Sequence, residues 1–427
     1  MQKVYTVAII GVGSRGANAY GTYFLEMASK FKIVSLCDLS QEKLAKYAAD
    51  FNVDKTQCFT SEKEFFKEKR ADVLCVATPD KCHIRHAIAG LKLGYDLLLE
   101  KPISDNKDEL EELLNVQKEY GGKVCVCHVL RYAPAFIKVA ELLDSGVVGK
   151  LVTIESLEQV WYFHQAHSYV RGNWHRREDS TPMIMAKCCH DLDLLQFYAK
   201  SPCVTVSSVG DLSYFKRENM PEGATPRCLD CPYKDTCAYS ATYYIKNWHQ
   251  CGMPADAWPW NVLTQTVPLT EDSIMEAIKD GPYGKCVFDC DNDVVDHQIT
   301  QLQFENGVTA SLTMTAFTHG GGREMRFHCT NGEVILSESH NCIELRVFGK
   351  EIQTINLVTL TDGGHAHGGG DGRMIECLFD ILEGRGTEKT SLTNSVESHL
   401  MAIAAEESRL EGGKLVTVHR RSLVDGM

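Results

Sequence analysis

YTVAIIGVGSRG, residues Tyr5–Gly16, is the stretch on which the fold prediction depends. An apolar run with the length of a buried parallel strand leads into a G-x-G-x-x-G turn, and Ala17–Lys30 then reads as a helix. In this strand-to-helix setting the pattern is typical of dinucleotide binding, because its glycines permit a tight turn, a close phosphate and close helix packing. The alternative is a glycine turn with a structural role only. The predicted cofactor-binding residues of the turn are Gly11, Val12, Gly13, Ser14, Arg15 and Gly16.

An acidic residue after the second strand indicates which dinucleotide is expected. Lys32–Leu36 reads as a strand and ends near Asp38, where a carboxylate accepts a hydrogen bond from a ribose 2′-hydroxyl. No arginine follows in Leu39-Ser40 to hold a 2′-phosphate. The sequence therefore predicts NAD rather than NADP.

The composition argues against several classes of partner. The chain has 427 residues, is 44% hydrophobic and 24% charged, and carries a formal net charge of −13, as an ordinary globular protein of two or three domains does. Because no basic run is interleaved with aromatic residues, neither nucleic acid nor an anionic membrane is an expected partner. No apolar stretch is long enough to span a bilayer, and the N-terminus shows no signal-peptide pattern. We therefore expect a cytoplasmic protein.

Alternating helix and strand patterns predict an α/β domain over residues 1–128. The order implies a doubly wound parallel sheet of the Rossmann type. Its further predicted helices are Gln41–Phe51, Ser61–Arg70, His83–Leu93 and Lys107–Tyr120, and its further strands are Ala71–Ala77, Asp96–Leu99 and Lys123–His128.

From Leu151 onward, consecutive strand patterns on short turns predict a second domain of α+β type with a largely antiparallel sheet, over residues 129–427. An irregular insert rich in Cys, Trp and Pro lies at about residues 215–284. The predicted strands are Leu151–Glu158, Val204–Gly210, Val294–Phe304, Val308–Ala316, Glu324–Cys329, Gly332–Leu336, Cys342–Phe348 and Leu415–His419, and the predicted helices are Thr181–Tyr198, Met374–Leu382 and Thr393–Leu410.

Two stretches supply candidates for proton transfer. Lys101 follows a predicted parallel strand, where open α/β sheets bind ligands, and the next residue, a proline, keeps its backbone extended. On a continuous helix, Lys187, His190 and Asp193 share a face. Histidine is suited to take a hydroxyl proton near neutral pH while a hydride leaves the same carbon. The alternatives are an exposed loop lysine and a hydrogen-bonded structural histidine.

Five motifs occur in the order seen in the glucose–fructose oxidoreductase/inositol dehydrogenase (Gfo/Idh/MocA) family, which the chain resembles strongly to about residue 200 and more loosely beyond. They are the glycine turn, Ala77-Thr78-Pro79 with His83, Glu100-Lys101-Pro102, Arg131-Tyr132 and His190-Asp191-Leu192-Asp193. The resemblance implies a Rossmann domain, a C-terminal sheet domain often used for homo-oligomerisation, and a tightly held nicotinamide cofactor. It also implies that the substrate is a sugar, a sugar derivative or an inositol.

The resemblance further implies roles for individual residues. Lys101 matches the active-site lysine and His190 the active-site histidine. The family often has an aspartate four residues before that histidine, and this chain has Ala186, so Lys187 is expected to take over orienting or charge-balancing work. The implied cofactor contacts are Thr78, Pro79, His83, Glu100 and Lys101, and the implied substrate contacts include Arg131, Tyr132 and Asp191.

Two further stretches are candidates for substrate binding. In Trp161–Arg177 (WYFHQAHSYVRGNWHRR), aromatic faces can stack on sugar C–H surfaces, unless the segment is a core link between domains. Gly363–Arg373 (GGHAHGGGDGR) can bring His365 and its neighbours to substrate or metal, unless it is only a flexible turn. The predicted substrate contacts of the two stretches are Tyr162, His164, Arg171, Trp174, His367 and Asp371.

Eighteen cysteines are many for a cytoplasmic chain and indicate thiols or metal ligands rather than disulfides. In the insert, a C-x2-C-x5-C-x13-C spacing has the knuckle pattern of thiolate metal sites and predicts a structural zinc, with His249 as a possible replacement for the last ligand. Packed free thiols, an iron–sulfur cluster and a redox disulfide remain alternatives. The predicted ligands are Cys228, Cys231, Cys237 and Cys251.

These patterns predict an NAD-dependent oxidoreductase acting on a hydroxyl of a sugar, glycoside or inositol, for example at C3 of a glycoside. A close alternative is an NAD-dependent, redox-neutral glycoside hydrolase that acts through a keto intermediate. An alternative of another class is a dinucleotide-sensing regulatory protein without catalysis. The presence of both Lys101 and His190 disfavours this last alternative.

Overall fold

A computed structural model of the chain describes residues 3–248, 258–264, 266, 268–360 and 366–418. The strands are β1 (Tyr5–Ile10), β2 (Phe31–Cys37), β3 (Cys58–Phe59), β4 (Val73–Val76), β5 (Asp96–Leu99), β6 (Val124–Val126), β7 (Leu151–Gln159), β8 (Cys203–Asp211), β9 (His297–Phe304), β10 (Thr309–Thr315), β11 (Gly322–Cys329), β12 (Gly332–Ser337), β13 (Cys342–Val347), β14 (Gln353–Asn356) and β15 (Val416–Thr417).

The α-helices of the same ranges are α1 (Thr22–Glu26), α2 (Gln41–Asp50), α3 (Glu62–Phe65), α4 (His83–Lys92), α5 (Lys107–Tyr120), α6 (Pro134–Asp144), α7 (Tyr162–His164), α8 (Met183–Ala186), α9 (Cys189–Ala199), α10 (Thr242–Trp248), α11 (Glu271–Asp280), α12 (Gly370–Leu382) and α13 (Leu392–Leu410). Within the described residues, no helix combines the length and the apolar character needed to cross a bilayer.

The chain forms two compact units. The first unit comprises Met1–Glu100, Tyr162–Thr181 and Leu212–Asp296. Its parallel strands lie in the order β3-β2-β1-β4-β5, the order of a doubly wound dinucleotide-binding sheet. Every residue of β4 is buried, as expected for an apolar strand covered on both faces. The predicted parallel α/β sheet is confirmed.

The second unit comprises Lys101–Trp161, Pro182–Asp211 and His297–Met427. Its sheet has the strand order β14-β13-β12-β11-β7-β10-β9-β8-β15. Only the pairing of β10 with β7 is parallel among these strands. Inward and outward residues alternate along β9 and β11, and α13 packs against β8 and α9. The predicted largely antiparallel sheet is confirmed.

Three predicted helices differ from the structure. The helix predicted over Ser61–Arg70 is only the single turn α3, Glu62–Phe65. The helix after the glycine turn begins with the wider π-helical segment Ser14–Gly21 and ends with α1 at Glu26. The predicted helix Thr181–Tyr198 is divided into α8 and α9, because the backbone of Cys188 leaves helical geometry (ψ 6°). Lys187 therefore does not share one continuous helical face with His190.

Candidate active site

The glycine turn of the first unit has the backbone geometry that a diphosphate requires. Gly11 has φ +90°, and a Cβ there would lie 2.4 Å from the carbonyl oxygen of Ala77. A Cβ at Gly16 would lie 2.0 Å from the carbonyl oxygen of Gly11, so both positions exclude a side chain. At Gly13 a Cβ would meet none of the described atoms within 4 Å. The turn therefore leaves open space for a phosphate beside Gly13.

Asp38 lies beside this turn with both carboxylate oxygens hydrogen-bonded. The backbone N–H of Val12 donates to Oδ2 (2.8 Å) and that of Ser40 donates to Oδ1 (2.9 Å). These bonds fix the carboxylate at the end of β2, where it can also accept from a ribose hydroxyl. The adjoining cavity of about 210 Å³ is lined by Val12, Gly13, Ser14, Asn18, Lys43, Lys46, Tyr47, Asn261, Thr264, Thr266, Pro268 and Leu269. The residues present fit the adenosine diphosphate part of NAD.

Other predicted cofactor residues bond to one another in the first unit. Arg15 Nε lies 2.7 Å from Glu100 Oε1, and the hydroxyl of Tyr20 donates to the same oxygen. The ring Nε2 of His83 lies 2.6 Å from the carbonyl oxygen of Thr78, which precedes Pro79. These bonds fix the chain after β4 and after β5, where an open α/β sheet binds its ligand.

His190 occupies a buried position in the second unit. It is 8% exposed, and its Nδ1 has no hydrogen-bond partner among the described residues. Burial holds the pKa of His190 well below its ordinary value, and the nearby charge of Lys101 lowers it further. Its ring centroid lies 5.9 Å from that of His128 and 6.3 Å from that of His367. His190 is therefore a buried imidazole on which the charge of Lys101 acts, and its role as a base stays a prediction.

A buried ion-pair network adjoins His190. The guanidinium of Arg323 binds Asp191 through Nε (2.8 Å) and Nη2 (3.2 Å), and Nη2 also lies 2.8 Å from Glu158 Oε2. Lys187 Nζ lies 3.1 Å from Glu158 Oε1. Burial raises the pKa of Asp191 to about 6 although Arg323 opposes the shift. Lys187 and Asp191 thus belong to a network of two cations and two carboxylates, and the Lys187 side chain stays 19% exposed.

Arg131 and Tyr132 have their polar atoms engaged within the second unit. Arg131 binds Asp193 through two bonds of 2.7 Å, from Nε to Oδ2 and from Nη2 to Oδ1. Both residues are buried, and His128 Nδ1 lies 4.0 Å from Asp193. The hydroxyl of Tyr132 lies 2.9 Å from that of Thr390. Both predicted substrate residues, Arg131 and Tyr132, are therefore buried and bonded to other side chains of the second unit.

His367 and Asp371 lie together near His190 in the second unit. His367 Nδ1 lies 2.8 Å from Asp371 Oδ2. Asp371 is fully buried, whereas the His367 side chain is 38% exposed. The third candidate of this stretch, His365, lies outside the described residues.

The predicted substrate residues of the aromatic stretch lie in the first unit. Arg171 is 4% exposed and donates from Nε to the carbonyl of Lys285 and from Nη2 to that of Tyr239, both at 2.7 Å. The indole N–H of Trp174 donates to Asp80 Oδ2 at 3.0 Å. The remaining two, Tyr162 and His164, are half-buried in the same stretch.

The predicted zinc site is not found in the described part of the chain. There, no group of three or more His, Cys, Asp or Glu residues could hold a metal ion. Cys228, Cys231 and Cys237 are free thiols, and Cys251 and His249 lie outside the described residues. The reason is local: Cys228 Sγ lies 3.4 Å from Arg171 Nη2 and 3.6 Å from the Lys285 carbonyl. The atoms next to this thiol are therefore a guanidinium and a carbonyl rather than a set of further metal-ligating side chains.

Several residues of the His190 cluster lie outside the sequence prediction. Glu158 is buried on β7 at the same face as Ile154, so a charged residue in an inward-facing position was the available signal. Arg323 is buried on β11 at the same face as Met325, but the predicted strand begins one residue later, at Glu324. The other two are His128 and His399.

Comparison with known proteins agrees with this architecture. The model of an oxidoreductase family with an NAD-binding Rossmann fold matches residues 5–128, and that of its C-terminal alpha/beta domain matches residues 140–418. Putative oxidoreductase YteT of Bacillus subtilis is 23% identical over 400 residues, which cover 87% of this chain and 88% of that protein. Inositol 2-dehydrogenase of Rubrobacter xylanophilus is 25% identical over 200 residues, covering 45% of this chain and 51% of that protein. The structure of levoglucosan dehydrogenase in complex with NADH and levoglucosan superposes with a TM-score of 0.70 at 16% identity, covering 98% and 100% of the two chains, and so has the same fold.

Proposed function

Since the chain belongs to the Gfo/Idh/MocA oxidoreductase family, we propose that it transfers a hydride between NAD and a hydroxyl-bearing carbon of a sugar, glycoside or inositol. The observation that carries the proposal is the pairing of a buried, neutral histidine, His190, with the charge of Lys101. The family's cofactor fits the glycine turn and Asp38, as described above. This combination supplies a base and a cation in a chain that holds a redox cofactor.

The chain's own residues move the proton and stabilise charge. When bound, NAD supplies the acceptor for the hydride that leaves the substrate carbon. His190 takes the hydroxyl proton, since its lowered pKa keeps the imidazole neutral at physiological pH. Lys101 stabilises the negative charge that develops on the substrate oxygen. The nearby Arg323 lowers the pKa of His190 further and is itself balanced by carboxylates.

The relatives support a carbohydrate as substrate. One is named for inositol and another, by structure, for levoglucosan, and both compounds present secondary hydroxyls on a six-membered ring. Oxidation at C3 of a glycoside is the form of the reaction that we consider first. The further expectations of a homo-oligomer, a cytoplasmic location and no nucleic-acid partner stay predictions.

The test measures NAD reduction and NAD binding separately. The purified protein is mixed with NAD and a panel of methyl glycosides, myo-inositol and levoglucosan, and the absorbance of reduced nicotinamide is followed. We expect Lys101→Met to lower kcat by roughly 10²- to 10³-fold while NAD still binds, because a charge-stabilising group is lost. The matched control is Lys107→Met. Lys107 lies on α5 and is ion-paired with Glu407 of α13, and we expect its replacement to leave kcat unchanged.

Two results contradict the proposal. One is NAD binding with neither NAD reduction nor any chemical change in any member of the panel, which is the behaviour of a regulatory dinucleotide sensor. The other is full turnover by Lys101→Met.

A further inference from the structure

We propose that His367, oriented by Asp371, is a second proton-transferring residue, which removes the C–H proton next to the carbonyl formed by oxidation. The inference rests on the proposed function and deepens it. It adds C–H deprotonation, and with it elimination and addition, to hydride transfer at the same site.

The geometry of the pair fixes the tautomer of His367. Its Nδ1 lies 2.8 Å from Oδ2 of Asp371, a carboxylate with no solvent exposure in the first turn of α12. Nδ1 therefore carries the proton and donates a hydrogen bond to the carboxylate, which leaves the Nε2 lone pair to accept a proton from substrate. The backbone of His367 has φ +51°, an uncommon conformation for a residue other than glycine. A partly exposed imidazole is thus held in one orientation by a buried anion.

The surroundings of His367 and His190 differ in the way that two separate acid–base roles require. His190 is buried, and no hydrogen bond to a carboxylate is found for it among the described residues. His367 is partly exposed and hydrogen-bonded to the carboxylate of Asp371. Their ring centroids lie 6.3 Å apart, so one sugar-sized substrate can contact both imidazoles. Neighbouring titratable groups in unlike environments are how a site separates its acid–base assignments.

The chemistry follows from the product of oxidation. A ketone acidifies the C–H bond of the adjacent carbon. His367 Nε2 takes that proton, and the C–H electron pair moves onto the ketone oxygen as an enolate, which Lys101 stabilises. Return of a proton from His367 restores the ketone without a change in oxidation state.

Elimination needs one further feature of the substrate. Where the next carbon carries an –OR group, the enolate electrons form a carbon–carbon double bond and expel RO⁻, which takes the proton from His367 as ROH. Water adds by the reverse steps, and return of the hydride restores the alcohol. The balance is then one water consumed and NAD unchanged.

The experiment measures hydride transfer and C–H exchange in the same sample. Wild-type protein, NAD and one probe (methyl β-D-glucopyranoside, levoglucosan or myo-inositol) are incubated in D₂O. Reduced nicotinamide is measured by absorbance, and deuterium on the carbon next to the oxidised position by NMR. We expect His367→Gln to lower the ratio of deuterium to reduced nicotinamide by about 100-fold or more, the effect of losing a general base.

The matched control is His340→Gln. His340 is a 76% exposed histidine of the second unit, on the connection between β12 and β13, and its replacement leaves the ratio unchanged. Thermal unfolding midpoints of both variants verify that they fold. A second readout needs no substrate: wild type has a far-downfield ¹H signal from the Nδ1–H bonded to Asp371, which is lost in His367→Gln and Asp371→Asn.

The outcomes separate the inference from the proposed function. If wild type reduces NAD without incorporating deuterium, or if His367→Gln keeps the wild-type ratio, the inference is overturned and the oxidoreductase function stands. A missing downfield signal in wild type overturns the assigned orientation of His367. If no probe gives reduced nicotinamide, deuterium incorporation or a hydrolysis product, the proposed function fails and the inference fails with it.

Discussion

Arg171 of the first unit and Arg323 of the second unit are both buried, and their guanidinium groups are satisfied in opposite ways. In the second unit, Arg323 binds the carboxylates of Asp191 and Glu158. In the first unit, Arg171 donates to the backbone carbonyls of Lys285 and Tyr239, which are neutral groups. One guanidinium is therefore balanced by charge and the other by dipoles.

The difference separates the surroundings of Arg323, where charge can change with pH, from those of Arg171, where the arginine has a structural role. Carbonyls keep the same charge at any pH, so Arg171 fixes the aromatic stretch to the insert in a constant arrangement. Arg323, in contrast, binds a carboxylate that can be protonated, because burial raises the pKa of Asp191 to about 6. Arg323 in turn lowers the pKa of His190, so this network reaches the proposed base.

The largest expected effect comes from removing the charge-balanced arginine. Arg323→Met leaves two fully buried carboxylates without their main counter-charge, and we expect the free energy of unfolding to fall by about 3–5 kcal/mol. Arg171→Met leaves neutral acceptors unpaired, which costs about 1–3 kcal/mol. Urea unfolding of both variants measures the two losses. A loss from Arg171→Met equal to or above that from Arg323→Met would contradict the comparison.

Acid sensitivity is expected in both units and so limits how far the comparison extends. Burial lowers the pKa of His399 in the second unit and of His167 in the first unit from 6.5 to about 3. As the pH falls, these histidines become protonated in the unfolded chain at a higher pH than in the folded chain. The stability present above pH 6.5 is therefore lost as the pH falls toward their folded-state pKa of about 3. Between pH 6.5 and about pH 5, each histidine costs about 2 kcal/mol.

The check is urea unfolding at several pH values in this range. His167 stacks on Tyr283, and its Nδ1 lies 2.6 Å from the hydroxyl of Tyr244, so His167→Phe keeps the ring contact and removes the titrating group. We expect the dependence of the unfolding free energy on pH to decrease by about one proton in this variant. An unchanged slope would mean that the acid sensitivity arises in the second unit alone.

Local patterns were enough to predict the glycine turn and to propose His190 as the base. The apolar β1, the glycines after it and Asp38 lie close together in sequence, and each has a direct backbone reason. Lys101 and His190 belong to short motifs of the recognised family. For these positions, the residues next to them in the sequence are enough to make the prediction.

Pairings between distant strands could not be predicted in this way. Glu158 on β7 and Arg323 on β11 meet only because the two strands pair in the second sheet. Lys187 lies between α8 and α9 and binds Glu158, a partner on a distant strand that helical periodicity alone does not indicate. In the insert, the cysteine spacing could not indicate that the guanidinium of Arg171 lies against the thiol of Cys228.

The smallest expected effect concerns the insert itself. Asn261 Nδ2 lies 3.2 Å from the hydroxyl of Ser14 in the glycine turn, and both residues line the cavity beside it. Asn261→Ala removes one hydrogen bond worth about 0.5–1.5 kcal/mol, so we expect NAD affinity to fall by roughly 2- to 10-fold in calorimetric titration. Asn219→Ala, which removes bonds to two carbonyls elsewhere in the insert, is the control with unchanged affinity. Equal NAD affinity in wild type and Asn261→Ala would mean that the insert has only a structural role, like that of the Arg171 contacts. A loss of NAD affinity in Asn261→Ala but not in Asn219→Ala would mean that the insert also contributes to cofactor binding.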